Sequence, residues 1–82
     1  MVKRKKPKIE ACYVRFGSAV AHYRGHRKLT QLELAEKTGL SRPTIANIET
    51  GRQRLLLGDV FTFAKALGVN PMLLFQAAKD RE

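Results

Sequence analysis

The chain has 82 residues, 16 of them Lys or Arg and 7 of them Asp or Glu, so its formal net charge is +9. That length allows one small domain, whose core gives only marginal stability unless the chain also dimerises. The excess of cations favours a polyanionic partner, with nucleic acid as the first candidate and an anionic membrane surface as the second.

The sequence shows no features of secreted or membrane-spanning proteins. Cys12 is the single cysteine, which excludes an internal disulfide and a cysteine-rich zinc site. No apolar run approaches the roughly 20 residues needed to cross a bilayer, and the basic N-terminus does not lead into the apolar region of a signal peptide. We therefore expect a soluble, cytoplasmic protein.

Residues 1–8 differ in composition from the rest of the chain. They hold five cations and one proline but almost nothing apolar, so burial cannot offset the entropy lost on ordering. We predict a flexible basic arm here and a folded domain over residues 9–79. The cations of the arm are Lys3, Arg4, Lys5, Lys6 and Lys8.

The first predicted helix runs from Ile9 to about His26. Its apolar residues recur at intervals of three and four, which places them on one face of a helix. Gly25 is expected near its end. The predicted apolar face consists of Ile9, Cys12, Phe16, Ala19, Val20 and Tyr23.

The next segment carries the signals of a helix start and stop. Thr30 suits an N-cap, and Glu33 at the third helical position can return a hydrogen bond, which predicts a capping box for a second helix over about residues 31–37. Gly39 then interrupts this helix, because glycine adopts a positive φ at little cost.

A third helix is predicted over about residues 42–49. Ser41 can cap it, but Pro43 disfavours the helical conformation for Arg42, so Arg42 itself is the alternative cap. Thr50 and Gly51 end the helix.

Two further helices complete an all-α fold. The fourth is predicted to open at Gly58 and Asp59 and to run to about Leu67, and the fifth starts with the cap Asn70 and the first-turn proline Pro71. The predicted buried stripe of the fourth helix consists of Val60, Phe61, Ala64 and Leu67.

The last predicted helix is richer in apolar residues than a short helix readily buries. These residues either close the core or form the interface of a symmetric dimer, and the sequence leaves both open. The group comprises Val69, Met72, Leu73, Leu74 and Phe75.

The second and third helices fit a helix-turn-helix. Two helices that cross at a tight turn need a small residue at their closest approach, supplied by Ala35, and a turn residue that tolerates positive φ, supplied by Gly39. A generic helical hairpin with accidental spacing is the alternative. The aliphatic residues predicted to face the core are Leu34, Leu40, Ile45 and Ile48.

At these residues the chain resembles the lambda-repressor and Cro family, also called Xre-type regulators. Helix 2 of that family commonly begins T-Q-x-x-L-A, and its third helix ends I-x-x-I-E-x-G. The resemblance implies a five-helix, lambda-repressor-like fold that binds specific DNA sequences as a dimer. The matching residues are Thr30, Gln31, Leu34, Ala35, Ile45, Ile48, Glu49 and Gly51.

The resemblance places the third helix in the major groove of DNA. Arg42 is the first candidate for base reading, because a guanidinium can donate two hydrogen bonds to N7 and O6 of guanine. Asn47 could pair with adenine in the same way. Pro43 offers an apolar surface for a thymine methyl, and Thr44 lies on the same side. Phosphate contact or solvation is the alternative for Arg42 and Asn47.

Other positions are expected to hold the DNA backbone. Gln31 matches a family position that hydrogen-bonds a phosphate, assisted by the exposed amides of the helix terminus. The arm resembles the basic arms that some family members extend around the duplex; a solubilising tail or a chance nuclear-localisation-like run is the alternative. Besides the arm, the phosphate candidates are Gln31, Ser41, Thr44, Arg52, Gln53 and Arg54, the last three being otherwise a solvated loop.

Arg24 and Glu49 resemble a pair that bridges helix 1 and the end of helix 3 in this family, which would make Glu49 a structural residue. No metal site or cofactor is predicted: His22 and His26 could face the same way but lack a third ligand, and Cys12 is about 15 Å from His22 along a helix. No catalytic grouping appears, so an enzyme is not expected.

The interpretation is a small transcriptional regulator, bacterial or phage, that represses by binding a near-palindromic operator as a homodimer. An antitoxin or restriction-modification controller that regulates its own operon is an alternative, with a possible protein partner such as a toxin. A different class of function is an adaptor module whose basic arm serves RNA or membrane surfaces.

Overall fold

A computed structural model describes residues 10–79 of the chain. These residues form five α-helices and no strand, which confirms the all-α prediction. Within residues 10–79, no helix has the length and hydrophobicity that spanning a bilayer requires. The helices are α1 (Ala11–His26), α2 (Gln31–Thr38), α3 (Arg42–Glu49), α4 (Leu57–Leu67) and α5 (Pro71–Ala78).

The start and end of α2 follow from its cap residues. The Thr30 hydroxyl accepts a hydrogen bond from Glu33 N at 3.0 Å, and Glu33 Oε1 accepts one from Thr30 N at 2.8 Å, which completes the predicted capping box. At the other end, Gly39 has a φ of +75°. Because a side chain would strain the backbone in that left-handed conformation, the tight turn into α3 depends on this glycine.

Ser41, and not Arg42, caps α3. Ser41 has extended backbone angles, and its hydroxyl accepts a hydrogen bond from Thr44 N at 3.2 Å. Arg42 is the first helical residue, with Pro43 after it. The alternative cap at Arg42 is therefore wrong. The restriction that Pro43 places on Arg42 is outweighed by the cap hydrogen bond, and the missing N–H of Pro43 costs nothing in a first turn.

A single core of apolar side chains joins the five helices. The ring of Phe63 in α4 meets that of Phe16 in α1 edge to face, with 6.0 Å between centroids. Leu74 of α5 is fully buried, so part of the apolar group of the last helix closes the core. The buried residues are Phe16, Val20, Leu34, Ala35, Ile45, Ile48, Val60, Phe63, Ala64, Leu67 and Leu74.

The predicted buried face of α4 is wrong at one position. Phe61 is 52% exposed, while Phe63 is fully buried. Positions 60, 63, 64 and 67 follow the helical period, whereas Phe61 lies about 100° around the helix from Val60. The helix also begins one residue earlier than predicted.

Two arginines in the first third of the chain donate hydrogen bonds to carbonyl groups at the C-terminal ends of distant helices. Arg15 donates hydrogen bonds from Nε and Nη2 to Ala78 O, at 3.2 and 2.9 Å. Arg27 donates to Leu67 O at 2.8 Å and to Gly68 O at 2.9 Å. Carbonyl groups at helix C-termini lack partners within the helix and carry partial negative charge, so these cations stabilise the fold as well as adding positive charge.

The helices α1 and α3 approach each other closely at two glycines. A Cβ added to Gly17 of α1 would overlap Ile48 O and lie 2.8 Å from Glu49 O. Gly51, just after α3, has a φ of +75° and lies against the backbone of Val14, 2.7 Å from an added Cβ. Since no side chain separates the backbones at these positions, α1 holds the back of α3 and fixes the direction in which its other face points.

Candidate nucleic-acid interface

The helix α3 has one buried and one exposed face. Ile45 is 0% exposed and Ile48 is 2% exposed, and both belong to the core. Pro43 and Asn47 lie on the opposite side of the helix and are exposed. Arg42, also exposed, flanks that outer face. The structure therefore brings three of the four predicted base-reading residues to the surface of a rod anchored from behind.

Thr44, the fourth of these residues, is half-buried at the edge of the outer face. Its hydroxyl is hydrogen-bonded to that of Ser41 at 2.8 Å. Because this contact uses one hydroxyl proton, the other remains free to donate to an anionic oxygen. Both groups lie at the N-terminus of α3, where the helix dipole favours negative charge.

Behind α3, Arg24 and Glu49 form a two-point ion pair. Arg24 Nε donates to Glu49 Oε2 at 2.6 Å and Nη2 donates to Oε1 at 3.0 Å, while Nη1 donates to Leu29 O at 2.9 Å. The Glu49 side chain is 6% exposed and the Arg24 side chain 22%. The pair expected from the sequence is thus present, and it is shielded enough for the loss of one partner to be costly.

The hydrogen bond to Glu49 raises the pKa of Arg24 above its ordinary value; burial opposes this effect and the charge of Glu49 adds to it. A base with a raised pKa contributes stability at every pH below its unfolded pKa, and that stability is lost only as the pH rises through the folded pKa. Since arginine titrates far above neutral pH, Arg24 gives the fold no pH dependence near neutrality.

Gln31 extends this network to the exposed side of α3. Its Nε2 donates to Glu49 Oε1 at 3.0 Å, and its Oε1 accepts a hydrogen bond from Arg42 Nη1 at 3.2 Å. Nε2 carries a second N–H, so the predicted phosphate contact of Gln31 is compatible with both bonds. We call the connected side chains Arg24, Glu49, Gln31 and Arg42 the α3 network.

The segment after α3 exposes Arg52, Gln53 and Arg54. Arg54 Nη2 lies 2.6 Å from Glu10 Oε1, in a pair whose side chains are 61% and 51% exposed. Exposed ion pairs contribute about 0–1 kcal/mol, so Glu10 holds Arg54 only weakly. The predicted arm, with its phosphate candidates, lies outside the described residues.

Sequence reasoning missed the contacts that set the orientation of this surface. Gly17 had a usable signal, because a glycine inside a helical pattern often marks a close approach of backbones. The hydrogen bond between Gln31 and Arg42 had none, since these residues belong to different helices and both suit a solvated surface. The same holds for the pair of Arg54 with Glu10.

In the described part of the chain, no three His, Cys, Asp or Glu residues are placed to hold a metal ion. The rings of His22 and His26 contact each other, with 4.7 Å between centroids. Cys12 is a half-buried free thiol.

Comparison with known proteins places this arrangement in a family. A family model described as "Helix-turn-helix" matches residues 20–74, which include all of α2, α3 and α4. The chain belongs to the helix-turn-helix family of lambda-repressor-like, Xre-type transcriptional regulators. The family is one of DNA-binding transcription regulators and not of enzymes.

Relatives of this regulator come from phages and archaea. The immunity repressor protein of Bacillus phage phi105 is 43% identical over 53 residues, which cover 65% of this chain and 37% of the phage protein. An uncharacterized HTH-type transcriptional regulator of Methanocaldococcus jannaschii is 46% identical over 48 residues, 58% of this chain and 73% of that protein. The chain thus matches less than half the length of the phage repressor.

Solved structures share the fold. The restriction-modification controller protein C.AhdI from Aeromonas hydrophila superposes with a TM-score of 0.76 at 32% identity, covering 80% of this chain and 100% of the controller. The C.Esp1396I controller, solved as a tetramer in complex with its natural 35 base-pair operator, gives a TM-score of 0.74 at 23% identity over 84% of this chain and 91% of that one. The second likeness concerns the fold alone.

Proposed function

We propose that this regulator is a repressor that binds a specific, near-palindromic sequence of double-stranded DNA as a homodimer. The observation that carries the proposal is the two-faced α3: its aliphatic side is buried in the core, and Arg42, Pro43 and Asn47 are exposed. The major groove is about 12 Å wide and admits a helix presented in this way. A cytoplasmic location follows from DNA as the partner.

In this arrangement the outer face of α3 reads bases and its surroundings hold phosphates. Arg42 meets a guanine, Asn47 meets an adenine, and Pro43 and Thr44 border the same base pairs. The N-termini of α2 and α3 point backbone amides at the flanking phosphates. The side chains that would join them are Gln31, Ser41, Arg52, Gln53 and Arg54, together with the lysines and Arg4 of the arm.

The relatives support this proposal through what their names state. The phi105 protein is an immunity repressor, and the C.Esp1396I controller was solved on its operator as a tetramer. Carried over to this chain, these properties favour repression and an operator read by more than one copy.

The outer faces of α4 and α5 supply a surface for dimerisation. Leu57 is 67% exposed and Met72 is 56% exposed, with Phe61 and Leu73 also exposed. A groove of about 260 Å³ near Leu57, lined also by Leu55, Leu56 and Phe75, continues this apolar area. Apolar surface concentrated in this way marks an interaction site. We call Leu57, Phe61, Met72 and Leu73 the α4–α5 surface.

The dimer sets the geometry of the operator. Two copies related by a twofold axis place their α3 helices roughly 34 Å apart, one turn of DNA, so the half-sites are inverted repeats at that spacing. Analytical ultracentrifugation at micromolar concentration tests the assembly. Strictly monomeric behaviour with and without the selected DNA contradicts the dimer.

Selection of bound fragments from a random duplex library, at near-physiological salt, gives the operator sequence and the half-site spacing. Arg42→Ala is then expected to cost about 1–3 kcal/mol on the selected duplex and far less on random DNA. Lys65→Ala, which removes the same charge from the exposed side of α4, is the matched control and should affect both duplexes alike. Equal losses on both duplexes for Arg42→Ala, or none, favour an adaptor module instead.

A restriction-modification controller is the second candidate. The observation that favours it is the 32% identity to C.AhdI across the whole of that controller chain. In this role the protein regulates its own operon. Footprinting on the DNA upstream of its own coding sequence distinguishes the two candidates: a protected site there supports the controller, and a selected sequence found only elsewhere supports the repressor.

A further inference from the structure

The α3 network connects a shielded ion pair to a side chain proposed to read DNA. Arg24 donates hydrogen bonds to Leu29 O and to the Glu49 carboxylate. Gln31 donates to the same carboxylate, and Arg42 donates to Gln31, with donor-to-acceptor distances of 2.6 to 3.2 Å along the network. The shielded end is rigid, because Glu49 is almost fully buried. The other end is the exposed guanidinium of Arg42.

The chemistry of the neighbours fixes the orientation of the Gln31 amide. The Glu49 carboxylate only accepts hydrogen bonds and the Arg42 guanidinium only donates them. Gln31 must therefore direct Nε2 to Glu49 and Oε1 to Arg42, as the structure shows. Rotating the amide by half a turn would oppose two acceptors at Glu49 and two donors at Arg42. Glu49 thus dictates that Gln31 offers an acceptor to Arg42.

The hydrogen bond to Gln31 leaves two donors of the Arg42 guanidinium available for a base. Gln31 takes up Nη1, while Nε and Nη2 remain as the parallel pair of donors that N7 and O6 of guanine require. Fixing a flexible side chain before binding removes an entropy cost equivalent to about two- to tenfold in affinity. That gain appears only on a duplex whose base accepts both hydrogen bonds, so it increases discrimination.

We propose that Glu49 is a positioning residue for base reading: acting through Gln31, it orients the Arg42 guanidinium and thereby sharpens the preference for the base that Arg42 meets. The inference rests on the proposed function, and it gives Glu49 a role beyond the ion pair with Arg24.

Glu49→Met tests whether the position of Arg42 depends on Glu49. The thioether offers no strong acceptor to Gln31 Nε2, so the Gln31 amide is free to rotate and no longer holds its oxygen towards Arg42 Nη1. We expect discrimination between the selected duplex and one altered at the base pair read by Arg42 to fall about two- to tenfold.

Gln31→Met tests the same link without disturbing Arg24 and Glu49. It removes the acceptor for Arg42, so we expect a similar fall in discrimination with little change in melting temperature. A role for Gln31 in phosphate binding alone would instead weaken both duplexes equally. Unchanged discrimination in this variant overturns the proposal even if Glu49→Met fails to fold.

Glu36→Met is the matched control, since it makes the same substitution at an exposed residue of α2 and should leave discrimination unchanged. In the free protein, ¹⁵N relaxation at Arg42 Nε gives a second readout. We expect its order parameter to exceed that of exposed Arg52 in the wild type and to fall to the Arg52 value in both test variants.

Unchanged discrimination and an unchanged Arg42 order parameter in Gln31→Met and in folded Glu49→Met would overturn the proposal. If the wild-type protein selects no sequence, the proposed function fails and base positioning fails with it. The order parameters of the free protein then show separately whether Glu49 orients Arg42.

Discussion

The surface around α3 and the α4–α5 surface are built in opposite ways. Around α3, the polar side chains of Gln31 and Arg42 are held by hydrogen bonds that lead back to a shielded carboxylate. On the α4–α5 surface, Met72 and Leu73 are exposed and apolar. Hydrogen bonding to bases depends on distance and angle, whereas apolar contact is non-directional. The side chains around α3 are therefore held in fixed positions before binding, whereas the α4–α5 surface needs only exposed apolar area for contact with a partner.

The largest expected effect concerns the support of α3. Glu49→Ala should lower the free energy of unfolding by about 3–5 kcal/mol, because it strands the Arg24 guanidinium and removes an acceptor from Gln31. Urea denaturation followed by circular dichroism measures this. Glu36→Ala, at an exposed position of α2, should change stability by less than about 0.5 kcal/mol. A Glu49→Ala protein that melts like the wild type would show that the ion pair does not support the surface.

The next effect tests the close approach of α1 and α3. Gly17→Ala should destabilise the protein by about 3 kcal/mol, since the added methyl overlaps Ile48 O and the backbones must separate. Gly25→Ala in the same helix has no atom within 4 Å of the added Cβ and should be neutral or slightly stabilising. Thermal unfolding of both variants gives the comparison. Equal melting temperatures would mean that α3 can shift without cost.

Substitutions of two phenylalanines in α4 are expected to affect different properties, one the dimer and the other the stability of the fold. Phe61→Ala should destabilise the monomer by only about 1 kcal/mol, through the lost edge-to-face contact with Phe75. It should weaken the dimer about tenfold, because the ring is 52% exposed on the α4–α5 surface. Phe63→Ala should instead destabilise the fold by about 3–5 kcal/mol. Sedimentation equilibrium and denaturation measure the two quantities. If Phe61→Ala dimerises with wild-type affinity, the dimer interface does not include the α4–α5 surface.

The smallest effect on the folded domain is expected from the arm. Deleting residues 1–8 should leave the melting temperature unchanged and flatten the plot of log K against log salt by several units in a dimer, since each neutralised phosphate contributes about −0.9 to its slope. Binding titrations from low to moderate salt measure this slope. An unchanged slope would show that the arm does not contact DNA phosphates.

The sequence predicted best where structure depends on neighbouring residues. The capping box of Thr30 and Glu33 and the positive φ of Gly39 are local, and they delimit α2 within one residue. It predicted less well where two apolar residues compete for one face, as with Phe61 and Phe63, although the spacing from Val60 favours Phe63.

Contacts between distant parts of the chain were beyond sequence reasoning. Arg15 reaches Ala78 and Arg27 reaches Leu67 only because the helices pack in one particular way. In the candidate site, the residues of the outer face of α3 could be predicted from helical periodicity. Their hydrogen-bond partners could not, because a polar side chain at the surface satisfies itself equally well with water.

The contact of the Gly17 backbone with the backbone of α3 also has a consequence for how this protein could come to recognise new DNA sequences. Main-chain atoms, Ile45, Ile48 and the ion pair of Glu49 hold α3 in place. Positions 43 and 47 can therefore be randomised without disturbing the scaffold. A combinatorial library restricted to these two codons would be expected to fold almost in its entirety. Natural divergence of target choice can follow the same route, one outward side chain at a time.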